Sequence, residues 1–366
     1  IQIFTRKGKG EPSTTVKTGF GSNAETINAI NTGGMVNNTH YNVSTSYEKT
    51  NGINNTNKNN LSYDRDHDGY RNSSVAAAIG HDFDGGHEVG MTFSKNKGQA
   101  EFDVGELNFD TQVLTGYGKW QVRNNLDTRL TLTNVFDKQD TPAFNSHYDT
   151  HRNTALWQTN WQATDIHLVT AGAEYIDESL DTDQGYTNES RYGRGLFIQD
   201  QMNFGRNSLK LGARNDDSSQ YSTENTWNAA YGFELSSTLK LFANYGTAFK
   251  APSFNDLYFP YTNYCAAFGS ICASTGNPDL DPEKSRTGEI GLKFQEGNAY
   301  WSASVYETKI DDLIAWMPTY GPGPFDSTWA PDNINNAKIQ GLDFTAGTSI
   351  DEWRLAAHAS LLNPVD

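Results

Sequence analysis

Apolar and polar residues alternate with a period of two along most of this chain. Tyr41, Val43, Thr45 and Tyr47 share one side of a segment whose other side carries Asn42, Ser44, Ser46 and Glu48. Val169, Ala171, Ala173 and Tyr175 alternate with Thr170, Gly172 and Glu174. Leu209, Leu211 and Ala213, then Leu239, Leu241, Ala243 and Tyr245, then Trp353, Leu355, Ala357, Ala359 and Leu361 repeat the pattern. Successive side chains of a strand point to opposite sides, so this spacing predicts strands with one greasy and one wet face. No segment carries a convincing helical period, and no sharp domain boundary interrupts the rhythm.

Two kinds of connection join these segments. Short turns such as Asp84-Gly-Gly86, Arg123-Asn-Asn-Leu-Asp127, Phe204-Gly-Arg-Asn207 and Glu296-Gly-Asn298 alternate with long polar loops near 51–70, 97–109, 138–152, 179–191, 250–284 and 316–335. Short turns on one side and long loops on the other are the layout of an outer-membrane barrel. At roughly 20 residues per strand and connection, the chain predicts about 18 strands, each long enough to cross a bilayer at the usual tilt. The fold class expected is therefore all-β, an antiparallel transmembrane β-barrel. A solenoid would show a short fixed repeat, and none is present. A sandwich of this length would need a linker between domains, and charged residues on the polar side would be costly in its packed core.

Composition narrows the function. The 366 residues carry a net charge of −16, opposite to what a phosphate-binding surface needs, so nucleic acid is excluded as a partner. Apolar residues make up 36%, with 18 tyrosines and 19 phenylalanines. No apolar run approaches the ~20 residues of a membrane-spanning helix, whereas barrel strands need be apolar only at every second position. No nucleophile elbow, phosphate loop or dinucleotide fingerprint occurs, and an enzyme is not expected. His147 and His151 have a zinc-helix spacing, but Pro142, Asn145 and Asn153 predict a loop there.

The most chemically pointed segment is Asp64-Arg-Asp-His-Asp-Gly-Tyr70. Asp64, Asp66 and Asp68 present three carboxylates on a turn sharpened by Gly69, a donor set suited to a hard divalent cation. It is not an EF-hand loop, because Val75 stands where the bidentate glutamate is needed and the flanks alternate like strands. A solvated acidic turn is the alternative reading. Cys265 and Cys272 lie in one Gly/Ala/Ser-rich loop; a small loop-closing disulfide in an oxidising compartment is expected, with a reduced pair as the alternative. Tyr258, Phe259, Tyr261 and Tyr264 place aromatic rings at a loop tip, suited to a large amphipathic ligand or to an interfacial girdle.

Three longer segments carry a resemblance. Tyr245-Gly-Thr-Ala-Phe-Lys-Ala-Pro-Ser-Phe-Asn-Asp-Leu-Tyr258, Gly276-Asn-Pro-Asp-Leu-Asp-Pro-Glu-Lys-Ser285 and Asn336-Ala-Lys-Ile-Gln-Gly-Leu-Asp343 together resemble the barrel of TonB-dependent outer-membrane receptors. Asp343 stands where that family more often has Glu. Pro278 and Pro282 stop ladder pairing and hold their segment extended before the next strand.

Within the family the likeness is to receptors for cobalamin. It implies an outer-membrane location in a bacterium, contact with outer-membrane lipid, uptake energised by TonB, and loops ordered by Ca²⁺. Asp66 and Asp68, in Asp66-His-Asp-Gly-Tyr70, match two calcium ligands. Asp110, in Asp110-Thr-Gln-Val-Leu114, matches a third, Asp103 a fourth, and Asn54 stands where a fifth is expected. The resemblance also implies a barrel of about 22 strands preceded by a plug. Residues 1–366 are accordingly expected to be a partial barrel domain, with the plug and the last strands outside the sequence. The rival expectations are a ferric-siderophore receptor of the same family, a passive porin and a secreted calcium-binding adhesin.

Overall fold

A computed structural model describes residues 7–60, 63–263, 271–320, 327–334 and 336–365. It divides into two compact units, each described by itself. The first comprises Ile1–Thr159, Glu174–Gly185 and Glu189–Tyr192, and the second Asn160–Ala173, Tyr186–Asn188 and Gly193–Asp366.

In the first unit β1 (Ser13–Phe20), β2 (Thr26–Val36), β3 (Thr39–Ile53), β4 (Asp68–Asp82), β5 (Glu88–Phe102), β6 (Gly105–Arg123) and β7 (Leu126–Thr141) form a meander, each antiparallel to the next. A 3₁₀ turn at Pro142–Phe144 leads to β8 (Ser146–Gln162). The division between units runs through β8, β9 (His167–Thr182) and β10 (Ser190–Phe204).

The second unit continues with β11 (Asn207–Ser218), β12 (Glu224–Glu234) and β13 (Leu239–Lys250). After α1 (Phe254–Tyr258), β14 (Thr262–Asn263) and β15 (Ile271–Ser274) come β16 (Glu283–Glu296) and β17 (Ala299–Asp311). A further excursion holds β18 (Leu313–Tyr320) and β19 (Ser327–Ile334), before β20 (Ala337–Ile350) and β21 (Trp353–Val365). Antiparallel ladders join β10 to β11, β11 to β12, β12 to β13, β13 to β16, β16 to β17, β17 to β20 and β20 to β21. Among the described residues seventeen strands belong to the long ladders, close to the number expected, and β14, β15, β18 and β19 form a separate four-stranded sheet.

The period-two pattern emerges as two chemically opposite faces. A row of directly opposed residues runs Tyr41, Ile79, Met91, Gly116 and Leu132 across five strands. Ile79, Met91 and Leu132 are 51%, 50% and 52% exposed. The adjoining row on the other face reads Asn42, Ala78, Thr92, Thr115 and Thr133. Val169, Ala171 and Ala173 are part-exposed and Tyr175 is exposed, so that apolar row does not enter a dry interior either. A water-soluble fold would turn such rows inward; leaving them bare is stable only against hydrocarbon. No helix among the described residues is long and apolar enough to cross a membrane.

The connections sort as expected at one end. Asn37 and Asn38 alone join β2 to β3 with φ of 46° and 62°, the left-handed pair that a twisted two-residue hairpin requires. The other end departs from expectation. The loops expected at 97–109 and 138–152 are mostly strand: β5 reaches Phe102 and β6 resumes at Gly105. With its 19 residues, β6 is far longer than the ~10 residues that cross a bilayer. The excess continues the ladder with Glu106, Asn108 and Asp110 on one face and Leu107 and Phe109 on the other, an alternation that the charged residues around it obscured. The helical absence also needs correction, though only by the five residues of α1.

Candidate functional site

The acidic segment lies where β3 passes to β4: Asp64 and Asp66 are in a true loop, and Asp68 opens β4. The segment's backbone is held by its own polar groups. Asp68 is 6% exposed, and its Oδ2 accepts the Asn55 N–H at 2.6 Å. Asn54 Oδ1 accepts from Thr56 N at 3.1 Å, and its amide donates to the Asp64 carbonyl at 2.8 Å. The carboxyl of Asp66 is held above the usual range, first by a hydrogen bond with Asp64, then by burial and the negative charges of Asp64 and Asp68. Three carboxylates crowded in this way favour either a shared proton or a divalent cation.

Register decides which other expected ligands can join them. Asp103 sits in the turn between β5 and β6, and its buried Oδ1 finds no hydrogen-bond partner among the described residues. Beside it, Glu101 accepts the Gly69 N–H at 3.0 Å, tying that turn to the acidic loop. Nothing in the sequence singled out Glu101, whose role follows from the β4–β5 pairing alone. Asp110 is placed elsewhere. It pairs with Lys97, which pairs with Ser73, five positions along β4 from Asp68 (73 minus 68). At ~3.4 Å per residue that is roughly 17 Å. Asp110 also shares the sheet face of Leu114, whereas Asp68 shares that of Ala76 and Ala78. It ion-pairs with Lys95 at 3.0 Å. Asn54 and Asp66 thus share the loop that ends on Asp68, the first residue of β4, Asp103 lies in the turn tied to it, and Asp110 stands further along the strands, its Oδ1 also buried without a hydrogen-bond partner among the described residues. The carboxylates and carbonyls in and beside the loop fit a hard cation.

Further along the same strands a polar cavity of about 820 Å³ is bounded by Tyr47, Arg71, Lys97, Asp110, Lys138 and His147. His147 Nδ1 lies 2.5 Å from Asp140 Oδ1, and its Nε2 3.4 Å from Asp149 Oδ1. His147 and His151 are on β8 rather than in a loop, roughly 13 Å apart at ~3.3 Å per residue. His151 instead meets Phe136 edge-on at 4.5 Å. No zinc pair forms there.

In the second unit the aromatic loop is a packed structure. Ser253 caps α1, accepting the Asp256 N–H at 3.1 Å, while Asp256 Oδ2 accepts the Ser253 N–H at 2.9 Å. Phe254 and Leu257 are buried. Phe259 lies edge-on between Tyr186 and Trp316, with ring centroids 6.1 Å away in each case. Trp316 Nε1 donates to Asp256 Oδ1 at 2.9 Å, and Tyr186 OH to Asn255 Oδ1 at 2.6 Å. The 276–285 motif closes this platform. Gly276 N donates to the Phe259 carbonyl and Asn277 N to that of Asp256, each at 2.7 Å. Leu280 and Pro282 are buried, and β16 begins directly after Pro282. Of the expected ligand-contacting aromatics, Tyr261 is 66% exposed, Tyr258 is half-buried against Asn188, and Phe259 holds the loop together. Tyr264 and Cys265 lie outside the described residues, and of Cys272 only the backbone, in β15, is described.

Comparison with known proteins places these features. The family model described as TonB dependent receptor-like, beta-barrel matches residues 13–363. The chain is 30% identical over 298 residues to the vitamin B12 transporter BtuB of Photobacterium profundum, covering 78% of this chain and 46% of that protein. It is 34% identical over 216 residues to BtuB of Vibrio vulnificus (strain YJ016), covering 56% and 32%. The chain thus spans less than half the length of these relatives. Among solved structures, the siderophore receptor PirA from Pseudomonas aeruginosa superposes with a TM-score of 0.80 at 16% identity, covering 98% of this chain and 68% of that one. A mutant of the ferric enterobactin receptor PfeA from the same species gives 0.78 at 15%, covering 98% and 63%. At such identities the likeness concerns the fold.

Proposed function

Because this chain belongs to the TonB-dependent receptor β-barrel family, a family of the outer membrane, we propose that it serves capture of cobalamin for uptake energised through TonB. The observation that carries this reading is the 30% identity over 298 residues to a vitamin B12 transporter. The work is binding and transport rather than catalysis.

The residues supply two parts of that task. The packed platform around α1 holds Tyr261 out to solvent, where an aromatic ring suits the apolar face of a corrinoid. The acidic loop is the second part. Asp66 and Asp68, with Asn54 and Asp103 beside them, would hold Ca²⁺, which cancels the repulsion among the carboxylates. With the loop already ordered, ligand binding has less conformational entropy to overcome. Asp110 is left out of this set because Lys95 already neutralises it.

The siderophore-receptor reading rests on fold likeness and would need a cationic site for an anionic ferric chelate. Here Arg71, Lys97 and Lys138 share their cavity with Asp110, Asp140 and Asp183. The test is uptake of labelled cyanocobalamin by bacteria lacking their own cobalamin receptor and expressing the protein that carries this sequence. Uptake that collapses with the proton gradient supports the proposal. Uptake of ferric enterobactin with no cobalamin uptake would replace it with the siderophore reading.

A further inference from the structure

The first unit contains a second cluster of cation ligands, at the opposite end of the strands from the acidic loop. Asp82, the last residue of β4, is paired directly with Glu88, the first of β5. Like charges directly opposed across a ladder are unfavourable unless something neutralises them. His40, on β3, is paired with Gly80 on the same face. Ring and carboxylates converge: one ligand atom from each of His40, Asp82 and Glu88 lies within 4.8 Å of the others, the only such group of three among the described residues.

The backbone makes the room. Gly80 is opposed to Gly90 and Gly90 to Tyr117. A Cβ at Gly80 would stand 2.3 Å from His40 Cε1, and one at Gly90 2.5 Å from the Tyr117 ring. The imidazole therefore lies flat over bare backbone from one side and the phenol ring from the other, and both aim at Glu88. Tyr117 OH donates to Glu88 Oε1 at 2.6 Å, and Lys7 Nζ approaches the same oxygen at 2.5 Å. His40 Nε2 is 3.6 Å from it.

One residue in this arrangement lacks its proper partners. His40 is 5% exposed, and neither ring nitrogen makes a hydrogen bond among the described residues. Burying both imidazole nitrogens without partners is costly, and a metal ion is one of few groups that relieves it. Asp82 has no cation within ion-pair distance among the described residues, and all three neighbours of Glu88 approach Oε1. We infer that His40, Asp82 and Glu88 form a binding site for a divalent transition-metal ion of the zinc class. One imidazole and two carboxylates suit such borderline ions better than Ca²⁺, which takes oxygen ligands alone. At metal–ligand distances of about 2.1 Å, two ligands of a tetrahedral ion stand about 3.4 Å apart. The 3.6 Å between His40 and Glu88 is already close to that. Lys7 competes with the metal for Glu88, so its displacement accompanies binding.

The inference is independent of cobalamin binding and of calcium in the acidic loop, and it is tested on the detergent-purified protein carrying this sequence. Zn²⁺ is titrated with Ca²⁺ present at saturation, bound metal is measured by equilibrium dialysis, and Co²⁺ serves as a spectroscopic probe of nitrogen ligation. The wild type is expected to bind one such ion, with His40→Ala and the isosteric Asp82→Asn each weakening it by roughly tenfold or more. Lys7→Met is expected to strengthen it several-fold. Heat-modifiable gel mobility identifies variants that retain the barrel. No zinc bound up to about 100 µM free metal, or equal binding in wild type and correctly folded Asp82→Asn, would overturn the inference and leave an ion-paired cluster only.

Discussion

Glu283 offers the sharpest test of how the aromatic platform is held. It opens β16, is 8% exposed, and its Oε1 accepts both the Ile314 N–H at 3.0 Å and the Lys250 ammonium at 3.1 Å. One carboxylate thus ties together β13, β16 and the start of β18, and β18 carries Trp316 against Phe259. Glu283→Ala leaves the Ile314 N–H without an acceptor, a loss of about 1–3 kcal/mol. The Lys250 side chain is 67% exposed, so solvent screening limits the ion pair to at most about 1 kcal/mol. The total of ~1–4 kcal/mol falls on local opening of β18 and β19, because the long ladders do not depend on it. Hydrogen exchange over 313–320 and 327–334 should therefore accelerate by roughly fivefold or more, at tenfold per ~1.4 kcal/mol, while β11 and β12 are unchanged. Glu283→Gln keeps an acceptor for Ile314 and should exchange at least about fivefold more slowly than Glu283→Ala. Equal protection in the alanine, glutamine and wild-type proteins would refute the assignment of this carboxylate as a tie.

Three further outcomes follow from the same geometry. Asp66 has a raised pKa in the folded loop, so the folded protein takes up this proton more readily than the unfolded chain does; lowering the pH through that pKa stabilises the loop without metal and opposes calcium. Calcium affinity should decline on acidification earlier than an ordinary aspartate predicts, and Asp64→Asn should move the onset to lower pH in calcium titrations. Gly276→Ala would bring a Cβ to 2.7 Å from Phe259 N and 2.8 Å from Leu257 C, both rigid backbone; a loss of ~1–3 kcal/mol should appear as increased proteolysis of the platform loop, together with weaker cobalamin binding. Tyr261→Ala should leave thermal unfolding within about 0.5 kcal/mol of wild type yet weaken cobalamin binding. Phe259→Ala, half-buried, should cost about 2 kcal/mol, below the ~3–5 of a full core position; the reverse order of effects would mean that the two rings have exchanged roles.

The alternation at Tyr41–Tyr47 and Leu239–Tyr245 carried the strand assignments because strand geometry has a strict period of two and lipid sorts the two faces. The short turns Phe204-Gly-Arg-Asn207 and Glu296-Gly-Asn298 were equally open to reading, since Gly205 and Gly297 supply the left-handed conformation that a tight hairpin requires. The hairpin around Asn145 was not, because strands wet on both sides leave little hydrophobic trace; around Asp103 the short alternation of Ala100 and Phe102, then Leu107 and Phe109, lies among charged residues that read as a loop. Motif likeness found the 245–258 and 276–285 segments but not their task. Their aromatic and proline residues read as ligand contacts or breakers, whereas Phe254, Leu257 and Pro282 are buried as the platform's own core.

For the cation sites the boundary falls in the same place. Local order along the chain put Asp64, Asp66 and Asp68 on one loop and determined the chemistry they offer, because neighbours in sequence stay neighbours in space. Which distant carboxylate joins them was settled by strand register, where one residue of shift moves a side chain to the other face. Pairing turned Asp110 towards Lys95 and brought Glu101 to Gly69. Pairing alone set Asp82 against Glu88 and laid His40 over Gly80, residues separated by up to 48 positions (88 minus 40) that no spacing rule connects.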